Sequence, residues 1–173
     1  MNKSIMIASK IKNGALWLPR FLTQVENLNI PKSRIVFMYA KSKDKSFSLL
    51  DHFRDISKHD VEIYADPYIP PNERHGAKLT RVKQDIQRLL KDGGEDYYLN
   101  LDCDLVQFSS DLVNTLMSHK KDLIAPMVWT ERFDGQHLKF FDSYEFRMEG
   151  HRFHPLRPPG FESTEPFKVD SVS

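Results

Sequence analysis

The chain has 173 residues, 40% hydrophobic and 28% charged, the size and make-up of one soluble globular domain with a sizeable core. Its formal net charge of +1 excludes the global basic field that holds a protein on nucleic acid, so a charged ligand must be met by local charge. A single cysteine, Cys103, excludes a disulfide framework and a cysteine zinc cluster, and no apolar run is long enough for a signal peptide or a membrane span. The expectation is a soluble, cytoplasmic protein, or a piece of a larger or membrane-associated enzyme, because the chain stops in the strand-like run Val169-Asp170-Ser171-Val172-Ser173.

Strand-like and helical segments alternate, which predicts an α/β domain with a mostly parallel sheet. The first strand is expected at residues 4–8. After Asn13-Gly14 a helix is expected at 16–28, with Pro19 in its tolerant first turn and Trp17 facing the core. A strand at 34–40, a helix at 46–56 and a strand at 61–65 follow, and then a loop at 66–72 holding three prolines. Leu79, Val82, Ile86, Leu89 and Leu90 share one face of a helix at 78–90 that ends at Gly93-Gly94. A fourth strand at 96–101 runs straight into Asp102-Cys103-Asp104. Ser109 or Ser110 caps a helix reaching His119, and a fifth strand is expected at 122–128. Beyond Trp129 the chain is rich in aromatics, charge and proline, without clean periodicity.

Asp102 and Asp104 are hard oxygen donors one residue apart, at the carboxyl end of an apolar strand, where open α/β sheets bind ligands. They suit Mg²⁺ or Mn²⁺, with waters and substrate phosphates completing the shell. Asp-x-Asp can also simply cap a helix or solvate a turn. The flanking Tyr97, Leu99, Leu101, Leu105, Val106 and Phe108 predict a buried strand and exit, an expensive place for two bare carboxylates. Cys103 reads as a small buried side chain within the motif rather than a ligand. Lys78 and Arg81, three apart near the start of the preceding helix, would face a phosphate there, or else form a solvated basic face.

With these features the sequence resembles the GT-A glycosyltransferases, which carry a metal-binding Asp-x-Asp after a central strand. Phe140-Phe141-Asp142-Ser143-Tyr144-Glu145-Phe146-Arg147, then Gly150-His151-Arg152-Phe153, then Pro166-Phe167-Lys168-Val169, resembles the fungal capsule-associated mannosyltransferases and a glycosyltransferase group of large algal viruses. The resemblance implies one GT-A-like, Rossmann-like domain over 1–173, with a nucleotide-binding half to about residue 128 and an acceptor-facing half from 129. It implies transfer of a sugar from a UDP- or GDP-sugar to a glycan or glycoprotein acceptor, with Mn²⁺ or Mg²⁺ as cofactor and no nucleic-acid partner. Ala8, Ser9 and Lys10 at the first strand's exit and Asp66 at the third would hold base and ribose, though Asp66 can equally shape a turn before Pro67. The relatives continue past the Pro-Phe-x-Val strand into a Gly-containing segment and often a further metal ligand, neither of which this sequence reaches.

An inverting transferase needs a general base, and Asp142 and Glu145, set among aromatic residues that suit sugar rings, are the carboxylates for it. Arg147 would stabilise the departing diphosphate, or pair structurally with Asp142. Trp129 is a sugar or acceptor contact. His151 and His154 are spaced for zinc on a helix, which Pro155, Pro158 and Pro159 argue against. A nucleotidyltransferase acting on sugar phosphates is the rival enzyme, weakened because Ala8–Gly14 holds one glycine rather than a phosphate loop. A nucleophilic-aspartate phosphotransferase is weaker still, since its motif follows the first strand. A non-catalytic glycan-binding domain is the remaining alternative.

Overall fold

A computed structural model of the chain describes residues 3–65, 75–105, 107–122, 124, 129–131, 138–140, 146–149 and 152–155, with the backbone alone for 75–80 and beyond 128. It divides into two compact units, Met1–Asn114 and Thr115–Ser173.

The first unit is built on strands β1 (Ile5–Ile11), β2 (Arg34–Tyr39), β3 (Asp60–Ala65) and β4 (Tyr97–Asn100), all parallel, in the order β3-β2-β1-β4. Helices α1 (Leu18–Glu26), α2 (Ser46–Ile56) and α3 (His75–Gly93) make the crossovers, and α4 (Leu112–Ser118) follows β4. A parallel strand covered on both faces is mostly apolar, as β1 is apart from Ser9 and Lys10 and β2 is apart from Arg34. The two-residue period sorts their side chains between the faces. Met6, Ala8, Val36 and Met38 pack with Val82 and Ile86 of α3, and Leu89 and Leu90 close the edge. Ile7, Ile35 and Phe37 are buried too, with Phe37 edge-on to Phe53 of α2 at 6.1 Å. Each large apolar side chain so buried contributes about 1.5–3 kcal/mol.

Helix α2 forms where its periodicity placed it, and α3 starts three residues before its expected first residue. Gly94, at φ 71°, supplies the left-handed residue that ends α3, with its N–H on the Leu90 carbonyl. Three expectations need correction. Strand β1 runs to Ile11 instead of ending at Ala8, because Ser9, polar as it is, is buried and donates its hydroxyl to the Leu101 carbonyl at 2.6 Å. Trp17 is 43% exposed and not core: it precedes α1, whose inward face is Leu18, Phe21, Leu22 and Val25. β4 is not a buried strand, since Tyr97 and Tyr98 are partly exposed at the edge of the described sheet and only the following Leu101 is fully inside.

In the second unit two antiparallel hairpins are described, β5 (Trp129–Glu131) with β6 (Leu138–Phe140) and β7 (Phe146–Glu149) with β8 (Arg152–Pro155). Of the fifth strand expected at 122–128, Asp122 and Ile124 are described and are not in a strand; the rest lies outside the described residues.

Candidate metal and nucleotide site

The sheet changes direction between β1 and β4: from β1 the chain winds outward through β2 and β3, and β4 is laid on the opposite side. Loops leaving the carboxyl ends of two such strands diverge and leave a crevice. The loops here are Ile11–Ala15 after β1 and Leu101–Leu105 after β4. The Leu101 N–H donates to the Ala8 carbonyl at 3.0 Å, and with the Ser9 hydroxyl this clamps the exit of β4 to β1. The next residues turn sharply, the Leu105 N–H reaching the Asp102 carbonyl at 3.1 Å, so Asp102, Cys103 and Asp104 occupy one tight turn.

Gly14 forms the opposing wall. A Cβ there would stand 3.4 Å from the Cys103 sulfur and 3.5 Å from Leu18, ordinary contact distances, so the two loops lie about a methyl group apart. The loop is braced from behind: the Gly14 N–H donates to Ser46 Oγ at 2.8 Å, and the Gly14 carbonyl accepts from the Trp17 and Leu18 N–H groups. Asn13 takes a left-handed conformation, φ 49°, which asparagine tolerates better than most residues.

Asp102 is solvent-accessible, yet enough protein surrounds it that desolvation pushes its carboxyl above the usual range. The neighbouring Asp104 charge adds to the rise, while Lys83 of α3 and the Asn100 side chain oppose it. Tyr98 donates its hydroxyl to Asn100 Oδ1 at 3.0 Å, and burial together with Asp102 pushes the phenol up to about 12. Burial, then both carboxylates, push the Cys103 thiol up to about 11, so with no ion bound it stays protonated near neutrality.

Two repelling carboxylates in one turn of a crevice fit a divalent cation, which would remove the repulsion that raises Asp102. No group of three or more His, Cys, Asp or Glu that could hold a metal occurs among the described residues.

The remaining sequence candidates fall in different places. Ala8 and Ser9 are buried within β1, behind the crevice, because the strand continues past them; Lys10 lies in the same strand, partly exposed. Lys78 is in the first turn of α3, with its side chain outside the described residues. Arg81 is partly buried in the second turn, past the reach of the helix dipole, because α3 begins at His75. Asp66, Asp142 and Glu145 lie outside the described residues. Arg147 is in β7 opposite His154, described by its backbone alone. The sequence reading missed Lys83 and Asn100. Lys83 follows the core residue Val82, and Asn100 is the last residue of β4, two before Asp102; their placement was the available signal.

Fold and loops together define an open, parallel α/β protein with an acidic turn at its switch point. Residues 2–136 match the N-terminal domain of glycosyltransferase family 25, and the chain belongs to that family. Procollagen-lysine,2-oxoglutarate 5-dioxygenase 1 of Gallus gallus is 29% identical over 169 residues, 97% of this chain and 21% of that protein. Procollagen galactosyltransferase 2 of Homo sapiens is 27% identical over 141 residues, 72% of this chain and 22% of that one. The chain thus spans about a fifth of the length of these relatives. Among solved structures, S. aureus TarS in complex with UDP-GlcNAc aligns with 66% of this chain and 30% of its own, at 11% identity and a TM-score of 0.48. These comparisons support a glycosyltransferase domain and do not show the finer resemblance to the capsule-associated mannosyltransferases, expected over roughly residues 95–173. No helix among the described residues is long and apolar enough to cross a membrane.

Proposed function

We propose that the chain is the donor-binding domain of a metal-dependent glycosyltransferase that moves a hexose from a nucleoside diphosphate sugar to a hydroxyl of a glycan or glycoprotein. The observation that carries this reading is the Asp102-Cys103-Asp104 turn at the switch point between β1 and β4, where two like charges sit together. When bound, Mn²⁺ or Mg²⁺ would neutralise the diphosphate and stabilise it as a leaving group. Asp102 and Asp104 would hold it, with Asn100 and Tyr98 orienting Asp102 and Lys83 adding positive charge on the α3 side. In the transfer, the bond from the anomeric carbon to the diphosphate oxygen breaks and one to the acceptor oxygen forms. The acceptor proton must pass to a base in an inverting reaction, a role for which the sequence alone offers Asp142 or Glu145, as it offers Arg147 for the diphosphate charge.

Galactose is the first sugar to test, because a galactosyltransferase is among the relatives. Mannose is second, for the resemblance to the capsule-associated mannosyltransferases over roughly residues 95–173. A thermal-shift panel of UDP, GDP and their hexose derivatives, with and without Mn²⁺, tests the reading. Absence of metal-dependent stabilisation by any of them sinks it. Stabilisation by a sugar 1-phosphate with a nucleoside triphosphate instead favours the nucleotidyltransferase, and a response to glycan alone favours a binding domain.

A further inference from the structure

The loops leaving β1 and β2 are stitched side by side. The Ala40 N–H donates to the Ile11 carbonyl, the Asn13 N–H to Ser42 Oγ, the Lys43 N–H to Asn13 Oδ1 and the Ala15 N–H to Asp44, all at 2.9 Å. The two segments are about thirty residues apart in sequence, yet their backbones run as neighbours. This brings Lys12 together with Lys41, Lys43 and Lys45, all exposed. Asp44 is the only carboxylate in either segment, and its oxygens are occupied by the Ala15 N–H and by the Ser46 N–H and hydroxyl. A chain of net charge +1 therefore concentrates cations on one braced surface. Apolar groups frame it: Trp17 and Phe47 are 43% and 47% exposed, with Phe47 tilted against Tyr39 at 5.3 Å.

We propose that this platform docks an anionic glycan, a sugar chain bearing carboxylates, sulfates or phosphates, as the acceptor of the reaction assigned above. Continuity places it there, since the loop carrying Lys12 also carries Gly14, the wall against which Cys103 of the acidic turn packs. An occupant of the platform therefore lies beside the candidate transfer site. Lysine ammonium groups meet dispersed anionic substituents as point charges, and the exposed rings meet the apolar C–H faces of sugars. A nucleic acid is the poorer occupant, because the charge is confined to two short loops and the whole chain supplies no steering field. The proposal rests on the glycosyltransferase reading for the word acceptor, and on the platform alone for anionic glycan.

The test uses the whole chain and a sulfated glycosaminoglycan oligosaccharide, with its desulfated form as control, in titrations at low and at physiological salt. The wild type is expected to bind the sulfated form, more weakly as salt rises. The triple variant Lys41→Glu/Lys43→Glu/Lys45→Glu is expected to lose about tenfold or more in affinity, since each reversal replaces an attraction with a repulsion. Lys41→Arg/Lys43→Arg/Lys45→Arg is expected to keep binding, and Lys91→Glu, elsewhere on α3, to change nothing. Metal-dependent stabilisation by the nucleoside diphosphate is expected to survive the triple reversal. Equal binding of sulfated and desulfated forms overturns the proposal, as does tighter binding of single-stranded DNA of matched charge. A parallel loss of nucleotide response overturns it too, by assigning the lysines to the donor. Oligosaccharide binding in a wild type that ignores every nucleotide upholds the platform while removing the transferase reading.

Discussion

The two ends of the parallel sheet handle charge in opposite ways. At the amino end, Arg34 of β2 reaches Glu62 of β3 through Nε at 2.9 Å and Nη2 at 3.0 Å, and through Nη1 the Leu89 carbonyl at 3.0 Å and Glu95 at 3.3 Å. The Ser4 N–H and hydroxyl converge on Asp96, which holds that carboxyl below its usual range, and the buried His59 accepts the Ser33 N–H at 3.2 Å. At the carboxyl end, Asp102 and Asp104 share one turn and four lysines share one surface. An end that serves only stability can pair every charge with its opposite. An end that keeps like charges together is where a charged ligand would be met, and the two proposals above rest on that.

The largest effect should come from removing the repelling pair. Asp102→Ala with Asp104→Ala is expected to cut metal-dependent transfer on the order of a hundredfold or more, matching the several kcal/mol a bound cation contributes. Melting temperature without ligand should hold or rise, because the repulsion is gone. A variant that instead fails to fold would show the turn to be structural, and nucleotide binding that survives would end its proposed role.

The converse cut falls at the amino end. Arg34→Met leaves Glu62 and Glu95 without their shared cation, and should cost about 2–3 kcal/mol in urea unfolding, below the range for a fully buried pair because Glu62 still touches water. The nucleotide response below the new melting point should persist; losing it would break the division between the two ends.

Gly14 sharpens the boundary. Gly14→Ala places a Cβ at ordinary contact with Cys103 and should be tolerated, whereas Gly14→Val overpacks the wall by about 1–2 kcal/mol and displaces the acidic turn. The metal-dependent thermal shift should fall more than the ligand-free melting temperature does.

The smallest effect concerns acid. His59 is buried, its Nδ1 accepts a backbone N–H and its Nε2 has no partner among the described residues, so the folded state favours the neutral ring. Desolvation leads in lowering its proton affinity, with Lys58 adding and Glu26 and Asp60 opposing. The unfolded chain takes up the proton near the ordinary value of 6.5 while the folded one resists it. Stability is therefore full above that pH and drains below it, at no more than about 1.4 kcal/mol per pH unit for one proton. Melting curves from pH 7 to 5 should show this slope, and His59→Gln should flatten it; an unchanged slope would remove His59 as the cause.

The alternation of strands and helices, the extent of α2, the end of α3 and the acidic motif were all legible along the chain, because periodicity, glycine and adjacent carboxylates are local signals. The errors were those of context. Ser9 looked like the end of a strand because its polarity is visible in sequence and its hydrogen bond to Leu101, ninety-two residues away, is not. Trp17 looked like core because hydrophobicity does not say on which side of a helix start a residue falls. Lys83 escaped notice because nothing local says which face of α3 lies towards the exit of β4.

Local chemistry, then, determined from sequence alone that this is an α/β chain with two carboxylates one residue apart at the exit of its fourth strand. Only the tertiary structure decided that β4 lies beside β1 and opposite β2, putting the motif at the switch point, and that Lys12 meets Lys41, Lys43 and Lys45. Strand order and loop pairing are long-range outcomes. They depend on which apolar faces bury one another, and residue spacing along the chain carries no record of that choice.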